Sequence, residues 1–361
     1  MILKKLKLRN FRNIEHCEIV LDPGINVFLG NNGQGKTNCI ESVVFSSTTR
    51  SFRVTNDNAM IKHDCPFASI ECTIEEDGKK TVLSSVIHSK GKSLFVASKQ
   101  VPKASEFIGR LNAILFSPND LEMFNISPRE RRKLMDMEIG KISLKYNAAL
   151  LKYQKCLKER NQALKMECDI ILLTSLESQM VDAQLQIIES RRVFVEFLNQ
   201  RLTHKMKQLC DEDLELGVRL KSWIDFSDKS KLRELMQQKY DETRERDILL
   251  KVTGNGCHRD DIEFTMKGIP LNEMASQGQK RMVLLAIKLC LIDFVRMTKK
   301  TSPVLILDDV LSELDQNNRI RLFQVLDKEV QTLITTTDLD ELKESLVKSP
   351  KIFRVDHGII R

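Results

Sequence analysis

An α/β fold built on a sheet split along the sequence, with an antiparallel β lobe near the start and a helical arm inserted in the middle, is predicted by three observations. The stretch Gly30-Asn31-Asn32-Gly33-Gln34-Gly35-Lys36-Thr37 has the G-x-x-x-x-G-K-[S/T] spacing of a phosphate loop and directly follows the apolar run at 25–29. No proline occurs between Pro128 and Pro270, and no glycine between Gly140 and Gly217, where apolar residues recur at helical spacing. Far from the phosphate loop, Val304-Leu305-Ile306-Leu307 and Leu333-Ile334-Thr335-Thr336 read as strands covered on both faces.

Taken in order, residues 5–9 alternate apolar and basic, and an Asp77-Gly78 turn separates the strand-like stretches 68–74 and 81–87. Leu144, Ala148, Leu151, Leu157 and Leu164, then Val181, Leu185, Ile188, Phe194, Phe197 and Leu198, predict two antiparallel helices. At about 30 residues each they would reach about 45 Å. Charge-dense 211–246 is expected to add further helices, and strand-like sequence returns after Gly254. Residues 282–294 are almost uniformly apolar, as in a helix buried against a sheet. The division expected is 1–125 and 251–361 for the two halves of the core and 126–250 for the arm.

The phosphate loop implies a nucleoside triphosphate. Gly30, Gly33 and Gly35 let the backbone N–H groups of the loop, Asn31, Asn32 and Gln34 included, turn toward phosphate oxygens. Lys36 is placed to reach the β- and γ-phosphates and Thr37 to hold Mg²⁺. The strand ending in Asp308-Asp309 sets two carboxylates at the edge where α/β sheets bind ligands. Asp308 is expected to hold Mg²⁺ through its water shell, and Asp309 to orient or deprotonate the attacking water. Ser276-Gln277-Gly278-Gln279 opens the buried helix, so Ser276 is an N-cap at a turn that can also face an anion.

The 361 residues carry 57 basic and 50 acidic side chains, a formal charge of +7 and a pI near 8.8, a mild bias toward anionic partners. The basic residues cluster at 4–12, 50–53 and 129–133. Such clusters are the pattern of phosphate-facing patches but do not by themselves establish nucleic-acid binding; for DNA as the partner, Lys4, Lys5, Lys7, Arg50 and Arg53 are the candidates for sequence-independent phosphate contact, since no base-reading motif is present. Nine cysteines without a C-x-x-C pair fit reduced thiols better than a disulfide or zinc framework. No apolar run reaches the ~20 residues of a membrane span. The N-terminus lacks a signal-peptide pattern, so a cytoplasmic protein is expected.

The order phosphate loop, long insertion, Ser-x-Gly-Gln turn, acidic strand and Leu311-Ser312-Glu313-Leu314-Asp315 resembles the ATP-binding-cassette ATPases. In that class the Ser-x-Gly-Gln signature of one subunit contacts the γ-phosphate held by the other. The resemblance implies that Ser276, Gly278, Gln279 and Asp315 act on a partner's nucleotide in an ATP-dependent dimer. It narrows to the RecF family, related to the SMC proteins, through Leu6-Lys7-Leu8-Arg9-Asn10-Phe11-Arg12-Asn13, Arg50-Ser51-Phe52-Arg53, Phe116-Ser117-Pro118-Asn119-Asp120-Leu121, residues 127–133 and Gly256-Cys257-His258-Arg259-Asp260-Asp261.

That resemblance implies a cassette-type, SMC-like ATPase head with an inserted arm, ATP and Mg²⁺ as cofactors, and weak DNA-stimulated hydrolysis that times release. It implies binding to double-stranded and gapped DNA, work with RecR and RecO to load RecA at single-strand gaps, and a part in the SOS response. Cys257 stands where the family has proline, Asp309 where most cassette ATPases have glutamate, and Thr335-Thr336-Thr337 where transporters carry a switch histidine. No glutamine of a metal-sensing loop stands out near 116–121. A transporter ATPase subunit is disfavoured by the long insertion. A structural chromosome-organising ATPase is the alternative, disfavoured by the short arm and the missing C-x-x-C hook.

Overall fold

The computed structural model describes residues 1–167, 169–210, 214–225, 228–326, 329–339 and 349–361. In chain order the elements are β1 (Ile2–Phe11), β2 (Ile14–Val20), β3 (Ile25–Leu29), α1 (Lys36–Thr48), β4 (Phe67–Glu76), β5 (Lys79–His88), β6 (Gly91–Val96), β7 (Lys99–Val101), α2 (Ala104–Phe107) and β8 (Ala113–Phe116). Then come α3 (Pro128–Ile142), α4 (Leu144–Lys165), α5 (Ile170–Leu209), β9 (Leu216–Lys221), α6 (Leu232–Leu250), β10 (Asp261–Met266), β11 (Ile269–Pro270) and α7 (Leu271–Met274). Last are α8 (Gln277–Lys299), β12 (Val304–Asp308), α9 (Gln316–Val325), β13 (Thr332–Thr336), β14 (Lys351–Asp356) and β15 (Ile359–Ile360).

The chain divides into two units, one of Met1–Leu121, His204–Asp213 and Ser276–Arg361, the other of Glu122–Thr203 and Leu214–Ala275. The first holds two six-stranded sheets. In one, ordered β15-β14-β3-β13-β12-β8, all pairings are parallel except β14–β15. Strands β12 and β13 are buried at every position, as their unbroken apolar and β-branched runs require. The phosphate-loop strand β3 lies between β13 and β14, so segments some 300 residues apart in sequence meet as neighbours. The other sheet, β2-β1-β4-β5-β6-β7, is antiparallel. Its β4–β5 hairpin turns at Asp77 and Gly78, whose φ values of 49° and 74° give the mirror-image turn that strand twist favours. Helix α1 is buried along most of its length, and its apolar residues join those of both sheets in one core.

The second unit is helical with a three-stranded sheet, β11-β10-β9. Helix α4 has 22 residues and α5 has 40, rather than two of equal length. The expectation of helices throughout 211–246 is corrected by β9, whose buried Leu216 and Val218 alternate beneath a charged surface and pair with β10; residues 211–213 lie outside those described. The return to the core comes at Ser276 rather than 251, because β10 pairs with β9 and Asp261 receives Arg131 of α3 through two contacts of 2.9 and 2.6 Å. Eight of the nine cysteines are described, all as free thiols; Cys168 lies outside the described residues. Among the described residues no helix is long and apolar enough to cross a membrane.

Candidate nucleotide site

The loop after β3 is shaped by contacts that leave no room for side chains. A Cβ on Gly30 would sit 2.2 Å from the Val355 carbonyl oxygen of β14. Gly35, the residue before α1, has φ 117° and packs on Asn13, so an L side chain there is excluded twice. The β14–β15 turn braces the loop from outside. Backbone N–H groups of His357 and Gly358 donate to Gln34 Oε1 at 2.6 Å and Gln34 O at 2.8 Å, and Asn13 Nδ2 donates to the same carbonyl at 3.1 Å.

Lys36 is almost fully buried, and its ammonium donates to the Gly30 and Asn31 carbonyls at 2.6 and 3.2 Å. Burial pulls its pKa below the ordinary lysine value, opposed by the Asp309 and Asp308 carboxylates. Thr37 Oγ1 donates to Asp308 Oδ1 at 3.1 Å, so the first turn of α1 and the end of β12 meet at one point. Asp308 is buried. That burial raises its pKa, and the neighbouring Asp309 charge adds to the rise; hydrogen bonds from Thr335 and Thr37 and the positive charge of Arg53 oppose it. Asp309 takes a left-handed backbone with φ 51°, and its N–H donates to Thr335 Oγ1 at 2.8 Å. A hydroxyl and a carboxylate converging beside a glycine cradle and a buried ammonium fit Mg²⁺ and a polyphosphate.

Thr335 is a member of the site that the sequence left undefined. Its hydroxyl donates to Asp308 Oδ1 at 2.8 Å, and both acidic residues pack around it. Glu41 is a second, unforeseen member, a fully buried carboxylate on α1. It receives Arg12 through contacts of 2.9 and 2.6 Å, the Ser51 hydroxyl, and Arg53 at 3.4 Å. A lone glutamate inside Cys39-Ile40-Glu41-Ser42-Val43-Val44 was the available signal, because a carboxylate on a buried helix face needs cationic partners.

The residues expected to meet DNA fall into three environments. Lys4 lies 3.8 Å from Glu75, Lys7 lies 3.6 and 3.7 Å from Glu18 and Glu71, and Lys5 pairs with Glu18. This stripe of β1 is balanced by carboxylates on its neighbouring strands. Arg53 bonds Asn38 Oδ1 at 2.7 Å beside Glu41 and acts on Asp308, so it belongs to the phosphate-loop side. Arg50 is exposed.

The signature turn forms a separate group. Ser276 caps α8 in a reciprocal box, its hydroxyl accepting the Gln279 N–H at 3.2 Å while Gln279 Oε1 accepts the Ser276 N–H at 3.0 Å. Asp315 caps α9 through the Asn318 N–H at 2.9 Å. Ser276, Gly278, Gln279, Arg281, Glu313 and Asp315 share the wall of an open hollow of about 230 Å³. Arg281 and Glu313 tie the two turns at 3.1 Å.

A parallel sheet that places a phosphate loop beside an acidic strand end, with a capped Ser-x-Gly-Gln helix in the same unit, defines an ATPase head of the SMC type. Residues 2–361 match the family model described as the RecF/RecN/SMC N-terminal domain. The chain belongs to the RecF family. It is 36% identical to the DNA replication and repair protein RecF of Geobacillus thermodenitrificans, covering 100% of this chain and 99% of that one. It is 35% identical to the RecF protein of Lactobacillus delbrueckii subsp. bulgaricus, covering 100% and 97%. A solved structure of the recombination mediator protein RecF with ATP, in the RecFOR pathway, superposes with a TM-score of 0.90 at 27% identity over 100% of this chain and 97% of that one. An SMC head bound to the C-terminal winged-helix domain of ScpA shares the fold, with a TM-score of 0.58 at 16% identity over 100% and 97%.

Proposed function

We propose that this chain is an ATP-dependent DNA-binding protein of recombinational repair and replication, closing as a head-to-tail dimer on double-stranded or gapped DNA. The observation that carries the reading is the meeting of Thr37 and Asp308 at 3.1 Å beside the Lys36 loop. In this reading the loop N–H groups, Gly30 through Gly35, and the Lys36 ammonium bind the phosphates of ATP. Thr37 and Asp308 would hold Mg²⁺, which when bound supplies charge neutralisation at the β- and γ-phosphates. Asp309, fixed by Thr335, orients the attacking water and accepts its proton.

Ser276, Gly278, Gln279 and Asp315 line one face and would complete the partner's site. Pairing therefore waits on ATP, and slow hydrolysis times release. The affinity for DNA comes from Lys and Arg against phosphates and carries no base sequence. Because the lysines of β1 already face glutamates, Arg50 is the strongest of the original DNA candidates. Work with RecR and RecO toward RecA loading and the SOS response is the family role proposed for this chain, in the cytoplasm, with the helical unit of Glu122–Thr203 and Leu214–Ala275 acting as the arm.

The test is anisotropy of a labelled gapped duplex titrated with the protein, with and without ATP and Mg²⁺, at two salt concentrations. Tighter binding with ATP, weakening steeply as salt rises, is expected. Binding indifferent to both ATP and salt would contradict the proposal.

A further inference from the structure

The end of the helical unit where α4, α5 and α6 meet is strongly apolar and exposed. Among the described residues, eight of the eighteen exposed large apolar side chains lie on the α4–α5 connection, the start of α5 and the end of α6. Ile171 is 74% exposed and Leu249 81%, with Met166, Ile170, Leu250 and Val252 beside them in sequence. The two segments are neighbours in space. Lys251 Nζ lies 3.0 Å from Glu167, and the Thr253 N–H donates to Asn161 at 2.8 Å.

This end is also rigid. Fully buried Arg160 of α4 bonds Glu177 of α5 at 2.7 Å and Asp247 of α6 at 2.8 Å, which locks the three helices just behind the apolar side chains. Removing one partner of such a buried network leaves an uncompensated buried charge, so the arrangement resists loosening. The apolar residues are thus held out into solvent by built structure. Exposed apolar side chains held on neighbouring, preorganised segments in this way mark an interaction site.

Charge selects the occupant. Of the carboxylates at this end, Glu167 is paired with Lys251 at 3.0 Å and buried Asp247 with Arg160 at 2.8 Å, while Asp169, which accepts the Ile171 N–H at 3.1 Å, and exposed Glu245 keep their charge. Lys158 and Lys165 stand exposed on the adjoining face of α4, where with Leu157 they line an open hollow of about 450 Å³. The exposed residues of α4 leading to this end include Lys152, Lys155, Lys158 and Lys165 against the single carboxylate Glu159, and apolar anchors beside such a cationic excess call for apolar side chains flanked by acidic ones.

We propose that this end of the helical unit is a docking surface for a partner protein through an amphipathic acidic segment. The proposal does not depend on the ATPase reading, since it uses no residue of the nucleotide site. The test uses the full chain and a labelled synthetic helix carrying leucines at i, i+3, i+4 and i+7 and glutamates elsewhere, with a lysine-for-glutamate version as control. The acidic peptide should bind at micromolar concentration and the lysine version at least tenfold more weakly. Leu249→Asp should weaken the acidic peptide at least tenfold, and Lys158→Glu with Lys165→Glu should do the same through charge alone. Both sites are exposed, and unchanged melting temperatures would verify folding. Equal binding of both peptides, or full affinity in the variants, would overturn the proposal. So would self-association of the chain, capture of anionic vesicles, or duplex DNA binding that Leu249→Asp abolishes, each of which assigns the surface to another occupant.

Discussion

Replacing Asp308 by asparagine should separate the stability of the head from its chemistry. Asp308 is 6% exposed, accepts hydroxyls from Thr335 and Thr37, and sits beside a second carboxylate. Burial and the Asp309 charge both hold its pKa above the ordinary aspartate value. The sign follows: a carboxylate whose folded pKa is raised makes the native state bind protons more readily than the unfolded chain, so its ionisation works against folding as pH rises through that window. An asparagine oxygen accepts the same two hydroxyls without the charge. Stability at pH 7.5 without nucleotide should therefore rise by about 1 kcal/mol, the low end for replacing a buried charge. In a unit of this size that is a melting temperature about 2–4 °C higher. If Asp308 holds Mg²⁺ as proposed, ATP hydrolysis should fall at least about a hundredfold. Scanning calorimetry and phosphate release on the same preparations read both effects. A lower melting temperature in Asp308→Asn would refute the electrostatic reasoning, and retained hydrolysis would refute the assignment.

Lys36→Met should abolish ATP binding measured by a fluorescent nucleotide, the buried ammonium being the proposed charge partner of the β- and γ-phosphates; parent-like affinity would contradict that role. Ser276→Arg should leave nucleotide affinity of the single subunit intact and block ATP-driven pairing, whereas unchanged dimerisation would reduce the serine to the helix cap it already is. Burial, then the Arg259 charge, holds His258 at about 4 against an ordinary 6.5. The unfolded chain therefore takes up a proton that the folded protein refuses, and stability falls as pH drops from about 6.5 toward 4. Urea midpoints at pH 7.5 and 5 should show the parent losing about 2 kcal/mol more than His258→Gln; parallel losses would contradict the link.

The sheet and the meeting of the phosphate loop with the acidic strand end are legible in the sequence because their signals are local. A glycine-rich turn after a buried strand, four apolar residues ending in Asp308-Asp309, and Ser276 three residues before Gln279 each declare their geometry within a few positions. What stayed hidden depends on partners distant in sequence. Lys4, Lys5 and Lys7 look like a basic stripe until β2 and β4 bring Glu18, Glu71 and Glu75 against them. Arg53 reads as a surface cation until α1 supplies Glu41 and Asn38. The Thr335 role needs β13 beside β12, a pairing no spacing rule gives. Strand β9 was masked by the charges around it, and its assignment rests on β10, some 40 residues later.

An ATP-gated pair of heads that holds DNA must change its mass in solution when nucleotide and duplex are added. Light scattering without nucleotide, with ATP and Mg²⁺, and again with a gapped duplex should show a monomer, then a dimer, then a dimer bound to DNA. A monomer in all three conditions would contradict the account.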